Sequence, residues 1–341
     1  MKMPIKRYQF LWLFCLFNSY VIAQDPLNAA LEFSNLSRNP ALAGIAISDL
    51  QFNFSYKNQD QSILLPYKKV QTQILSRYRI GETEDGFTAG ALIRYEEAGE
   101  NKLKRAQFLP VLNFHQSLSD IKISYLSLAF MASIVKTQFD PNNLPYTNKF
   151  KIIPFNPASP IPQILNSNSS TYFDYSTGMS YYSELNNQYS FYLGAALYHF
   201  GQNIIKQFQT IPAIQREWVI NSGLQYCENN YSIQFMGDLR IHASDIKLYT
   251  ALILGIPLNK NLLNQQFELN MGAYYNSNQE LSPIISFKWP SIILSMSYDI
   301  YTGTRKEITV FNNAIECNVS LDINCHKRKN ESEKMRCTKF R

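Results

Sequence analysis

From Leu50 the chain reads Leu50, Phe52, Phe54, Tyr56 against Gln51, Asn53, Ser55, Lys57. Strict alternation of apolar and polar residues is the period of a β-strand with one oily and one wet face. The pattern recurs as far as Asn324, and it restricts the fold more than any other feature of the chain. Near the end, Ile315, Cys317, Val319, Leu321 and Ile323 alternate with Glu316, Asn318, Ser320, Asp322 and Asn324. Before them, Ile292, Leu294, Met296, Tyr298 and Ile300 oppose Ser295, Ser297 and Asp299.

Alternation and turn signals predict about fourteen strands. Their spans are 50–57, 69–79, 86–96, 104–116, 121–135, 172–182, 188–200, 215–226, 231–242, 246–256, 265–276, 281–289, 291–300 and 313–324. Alternation is less regular in 104–135 and 188–200. Many strands have about the nine to twelve residues that a tilted strand needs to cross a bilayer. Tyr56, Tyr78, Tyr95, Tyr198, Tyr226, Tyr275, Trp289 and Tyr298 stand near strand ends, as interfacial girdles do. A soluble sandwich also alternates, but its strands run to about five or six residues. Charged residues make up only 17% here, against about 25% in soluble domains. The chain has 22 Tyr, a side chain suited to lipid–water boundaries. Mean hydropathy is −0.22, and beyond the first segment no run approaches the roughly 18 apolar residues of a spanning helix. The expected fold is all-β: a transmembrane antiparallel up-and-down β-barrel of about fourteen strands.

The start of the chain reads as a targeting signal. Lys2, Lys6 and Arg7 precede an apolar stretch, Phe10 to Phe17, and Val21-Ile22-Ala23 offers a cleavage site. An uncleaved anchor is the alternative, but the apolar run is short for one. Cys15 lies inside that run and closes no lipobox. The expected organisation is a signal peptide over 1–23, a periplasmic leader over 24–49, the barrel over 50–324, and a basic periplasmic tail over 325–341. With a periplasmic N-terminus, most long connections face outward and most short ones inward, which is the asymmetry of an outer-membrane barrel embedded in outer-membrane lipids. The longest outward connection, 136–171, carries Pro141, Pro145, Pro154, Pro157, Pro160 and Pro162. A loop of that length is either functional or disordered, and the functional reading is an outer-face loop that covers the mouth or meets a partner.

Little in the sequence points to chemistry. His115, His199, His242 and His326 show no ligand spacing, and no G-x-S-x-G occurs. Neither catalysis, a metal nor a cofactor is expected. The net charge of +6 comes from scattered and terminal residues, so no nucleic-acid surface is expected either. By parity Lys57, Arg94, Glu96, Asp238, Arg240, Glu268, Asp299, Glu316 and Asp322 face the lumen. Their mixed signs fit a plugged or salt-bridged interior better than a selective ring. The same parity predicts that Val319→Arg damages insertion while Ser320→Arg is mild. Cys325 and Cys337 share the short tail in an oxidising compartment, which allows a disulfide between them or two free thiols.

The two ends of the chain carry a resemblance. The opening has Gln24-Asp25-Pro26, Phe33-Ser34 and Asn39-Pro40-Ala41-Leu42-Ala43-Gly44; the close has Ser297-Tyr298-Asp299, Glu316, and a basic tail with Cys325, Cys337 and Phe340. Together they resemble the PorP/SprF family, outer-membrane proteins of the type IX secretion and gliding machinery. The family's glycine-rich approach to the final strand is replaced here by Asn312-Asn313-Ala314. The resemblance implies a non-enzymatic role in export or surface attachment of a large secreted adhesin. It also implies partners: the passenger's C-terminal domain outside and the periplasmic ring lipoprotein complex inside. Asn39, Pro40, Ala41, Gly44, Tyr298, Asp299 and Glu316 are then structural motif residues. The alternatives from other classes are an outer-membrane channel or hydrophobic-solute transporter, and a soluble or peripheral β-protein.

Overall fold

The computed structural model describes residues 30–45, 48–59, 67–80, 85–99, 103–119, 123–138, 169–186, 188–201, 215–228, 231–243, 245–259, 267–302 and 314–324. Fourteen antiparallel strands form a closed barrel in which each strand pairs with its sequence neighbours and the first pairs with the last. They are β1 (Leu50–Gln59), β2 (Tyr67–Arg79), β3 (Gly86–Ala98), β4 (Leu103–Ser117), β5 (Ser124–Gln138), β6 (Ser169–Glu184) and β7 (Tyr189–Tyr198). The second half comprises β8 (Glu217–Glu228), β9 (Tyr231–His242), β10 (Asp245–Asn259), β11 (Phe267–Asn276), β12 (Glu280–Lys288), β13 (Ile292–Tyr301) and β14 (Ala314–Ile323). The seam runs from Leu50 opposite Ile323 to Gln59 opposite Ala314. Every unpaired strand edge is thereby removed, as a wall in lipid requires.

The alternation of the sequence becomes the two faces of the wall. Phe108, Leu112, Phe130, Leu193, Trp218, Leu252 and Met296 project outward and are exposed on the bare barrel. Gln51, Asn53, Ser55, Asn113, Asn221, Asn318 and Ser320 point inward and are buried. The lumen-facing charges follow their predicted parity: Arg94, Glu96, Asp238, Arg240, Asp299 and Glu316 are all buried inside.

Four spans differ noticeably from expectation, among them β10, which ends three residues later than predicted. β5 lies three residues later than predicted, and β6 starts three residues earlier. β7 stops at Tyr198 because His199 has a left-handed φ of 57°, which a continuing strand does not accommodate. Two prolines interrupt the ladder. The β4–β5 pairing skips Leu109 and Pro110, and the β12–β13 pairing skips Ser282 and Pro283. Proline has no N–H to give the neighbouring strand. Of the longest outward connection, 139–168 lies outside the described residues.

One correction concerns the leader. Residues 30–45 were expected in the periplasm; they lie inside the barrel. They form a 3-10 turn (Leu31–Phe33), a one-turn helix α1 (Asn35–Arg38) and a second 3-10 turn (Pro40–Ile45). Leu31, Phe33, Leu36, Ala41, Leu42 and Ala43 are at most 2% exposed. Burying a Leu or Phe side chain is worth about 1.5–3 kcal/mol, which a leader left in water would forgo. Two apolar clusters form between this plug and the wall. One gathers Leu31, Phe33 and Leu42 with Tyr182, Tyr192, Met236 and Tyr274. The other gathers Leu36 and Ala41 with Leu75, Leu92, Met131 and Val219.

Candidate functional site

The feature that the barrel is built around is the plug and the wall that grips it. α1 is too short to stand alone, since an isolated turn of helix is unfavourable in water. The wall holds it in shape. Arg38, at its end, reaches β9: Nε donates to Asp238 Oδ2 and Nη2 to Asp238 Oδ1, each at 2.7 Å. The same Nη2 donates to the Tyr192 hydroxyl at 2.7 Å, and Asn221 Nδ2 donates to Asp238 Oδ1 at 2.8 Å. The Arg38 and Asp238 side chains are 1% and 0% exposed. Burial alone would lower the Arg38 pKa; the Asp238 carboxylate outweighs it, so the guanidinium stays charged.

Next to Arg38, Ser37 is held from two sides. Arg94 Nη2 donates to its hydroxyl at 2.6 Å, and Arg240 Nη2 donates to its carbonyl oxygen. Arg240 is itself fixed by Glu217, with 3.1 Å to each carboxylate oxygen. Tyr198 donates to the Leu36 carbonyl at 2.9 Å, and the Leu36 N–H donates to Gln73 at 3.4 Å. On the outer side of α1 a cavity of about 40 Å³ is bounded by Ser37, Arg94, Arg105, Asp174, His199 and Arg240. His199 Nδ1 meets the Asp174 carboxylate there.

The Asn39-Pro40-Ala41 motif docks on β6 and β7. Asn39 Nδ2 donates to the carbonyls of Met179 and Ala195, at 3.1 and 3.3 Å. Its Oδ1 accepts from the Ala41 N–H at 2.9 Å, closing a turn that Pro40 supports with its fixed φ. The contact is possible because Gly178 and Gly194 face the motif: a Cβ at Gly178 would overlap Asn39 Oδ1. The Ala41 carbonyl accepts from Asn113 at 2.8 Å and from Ser180 at 3.1 Å. Gly44 falls in the turn that follows.

The motif residues at the other end of the chain sit on the opposite wall, seven strands away. Tyr298 faces outward. Asp299 faces inward and accepts an ion pair from Lys57 Nζ at 2.6 Å. Glu316 is fully buried directly across the seam from Lys57. Family-motif residues therefore form two separate constructions, a plug mount and a charged seam. Cys325 and Cys337 lie outside the described residues. Sequence reasoning missed Arg38, Ser37, Tyr192 and Asn221 as a group. The available signal was Asp238 and Arg240 on an inward face, together with glycines in the interiors of β6 and β7.

What this arrangement does chemically is occlude. Residues facing the lumen from every side are close to inaccessible, among them Leu92, Asn113, Asn221, Met236 and Glu316 at 0% exposure. A water-filled bore would leave such positions wet.

Comparisons with known proteins give distant solved structures and one family. Among solved structures, the TodX monoaromatic hydrocarbon channel deltaS2 mutant is 10% identical, covers 88% of this chain and 95% of its own, and superposes with a TM-score of 0.49. The Pseudomonas putida toluene transporter TodX is 9% identical over 89% of this chain and 95% of its own, at 0.45. The KdgM porin in complex with disordered oligogalacturonate is 8% identical over 80% of this chain and 99% of its own, at 0.39. No curated protein matches the sequence. The family model for the type IX secretion system membrane protein PorP/SprF matches residues 21–314. The chain belongs to the PorP/SprF family of type IX secretion system membrane proteins and is a β-barrel of the outer membrane.

Proposed function

We propose that this barrel is a non-enzymatic part of the type IX machinery that helps export a large secreted protein or attach it at the surface. The observation that carries this reading is a barrel of this family whose bore is occupied by its own residues 30–45. An occupied bore suits a docking platform better than a passive channel or a hydrophobic-solute transporter. On this reading the outward loops meet the passenger's C-terminal domain, and the periplasmic face meets the ring lipoprotein complex. Residues 1–23 direct export and are removed, and the tail 325–341 stays in the periplasm, closed by Cys325–Cys337.

The test is removal of the barrel from its own cell, with surface-exposed proteins counted by protease shaving. Capture of tagged barrel in mild detergent identifies what it holds. The expected result is loss of one large surface protein and its recovery with the captured barrel. An unchanged surface together with an empty capture overturns the proposal. Alkylation of non-reduced protein is expected to leave Cys325 and Cys337 unlabelled; labelling of both removes the disulfide.

A further inference from the structure

We infer that residues 30–45 are a displaceable gate, with the Arg38–Asp238 pair as its latch. A plug that were part of the wall would share the wall's ladder. This one does not. Its backbone-to-backbone hydrogen bonds, among the described residues, stay within the plug: Phe33 N–H to Ala30, Arg38 N–H to Ser34, Leu42 N–H to Asn39. The first such bond to a strand comes later, where the Arg77 N–H donates to the Asp49 carbonyl at the base of β1. The plug can therefore leave while the sheet stays closed.

The wall grips the plug with side chains instead, and these are of a kind that water can replace. Asn113, Ser180, Tyr198 and Arg240 each donate to a plug carbonyl. After departure each finds water, and so do the plug carbonyls. Much of the inward surface is hydratable: Asn53, Ser55, Gln71, Gln73, Thr88, Ser127 and Asn318 are polar, inward and buried. Barrels of about eight strands are filled by side chains, while those of sixteen to eighteen leave an aqueous channel. With fourteen strands, the bore is wide enough to hold a folded segment and to conduct once it is gone.

The latch is the contact that water replaces least well. Arg38 and Asp238 are a fully buried bidentate pair, reinforced by Tyr192 and Asn221. Removing one member leaves an uncompensated charge in the packed interior. Hydration on opening relieves that penalty, so loss of one partner shifts the population towards the displaced state. The plug is joined to β1 through 46–49 at the end where β1 begins and β14 finishes, so it withdraws towards that end.

The experiment is single-channel recording of the full mature barrel in planar bilayers, with heat-modifiable gel mobility as the check of folding. The wild-type protein is expected to conduct rarely and briefly. Asp238→Ala and Arg38→Ala are each expected to raise open probability at least tenfold, and deletion of 30–45 to give a large steady conductance. An ideal Cβ at position 178 stands 3.1 Å from Asn39 Cγ, close to the spacing of a Cβ and the partner sulfur in a disulfide. N39C/G178C, added to Asp238→Ala with the native cysteines replaced by Ser, is expected to stay closed when oxidised and to open when reduced. Folded Asp238→Ala and Arg38→Ala barrels that conduct no more than wild type overturn the latch. A folded plug-deleted barrel that is silent overturns the gate itself, and if the deletion does not fold, the two point variants decide. A silent plug-free barrel in a cell with undiminished export sinks the gate and leaves the export role standing.

Discussion

Arg38 and Asp238 are 200 positions apart in the chain and meet through two hydrogen bonds of 2.7 Å in the middle of the barrel. One belongs to a four-residue helix that could not persist in water, the other to the centre of β9. Their pairing fixes where along the bore the plug sits. A buried ion pair is poor evidence of net stability, because desolvating two charges offsets most of their attraction. Its value here is placement: Asp238 already accepts from Asn221, so Arg38 completes a site that the wall prepares.

From that pairing follows an asymmetry between single and double substitutions. Asp238→Leu strands a guanidinium and is expected to cost about 3–5 kcal/mol of stability. Arg38→Leu combined with Asp238→Leu removes both charges and is expected to cost distinctly less than the sum of the singles. Urea unfolding in micelles, run as a double-mutant cycle, measures the difference. Additive costs would mean that the two side chains act independently.

Gly178 gives a local test of the motif mount. A Cβ there runs into Asn39, which is fully buried and bonded to two carbonyls, so it cannot swing aside. Gly178→Ala is expected to cost about 1–3 kcal/mol through overpacking. Gly237→Ala is the control, since its nearest neighbour would be Ser222 Oγ at an ordinary 3.4 Å; it is expected to stay within about 0.5 kcal/mol. Limited proteolysis reads the same contrast directly, with the plug cleaved sooner in Gly178→Ala and unchanged in Gly237→Ala.

The wall was legible in the sequence because lipid and lumen impose a period of two, and β1, β13 and β14 repeat it almost without fault. The plug was not legible for the same reason. Between Ala30 and Ile45 three short turns follow one another, and none is long enough to establish a period. Arg38 reads as a solvated charge until Asp238 is brought beside it, and only the closed barrel does that. Two hints were present in the sequence. Gly178 and Gly194 interrupt strands where a side chain would be expected, which signals close approach of another chain. Lumen charges of both signs argued against a selective pore.

Val319 and Ser320 show where the sequence-based expectation needs revision. Val319 faces lipid as expected, and Val319→Arg is expected to cost about 2–4 kcal/mol near the midplane. Ser320→Arg was expected to be mild, on the premise of a wet lumen. Instead Ser320 is 1% exposed and its hydroxyl donates to Asn53 at 2.5 Å. An arginine there would put a long charged side chain at a position that is almost inaccessible, so Ser320→Arg is expected to hinder assembly as much as Val319→Arg. Ser320→Ala, which loses one hydrogen bond, is expected to cost only about 1 kcal/mol. Folded yield on gels without heating ranks the three; a well-folded Ser320→Arg barrel would contradict the packed interior.

Lys57 tests the seam that holds the first and last strands together. Its ammonium lies 2.6 Å from Asp299, and its strand position is directly opposite Glu316. Lys57→Met leaves these carboxylates without that cation and is expected to cost about 3–5 kcal/mol at neutral pH. Lys57→Arg, which keeps a cation beside Asp299, separates charge from packing. It is expected to recover most of the stability that Lys57→Met loses, read as unfolding midpoints of the three proteins side by side. A Lys57→Arg barrel as unstable as Lys57→Met would assign the loss to the packing of the Lys57 side chain rather than to its charge.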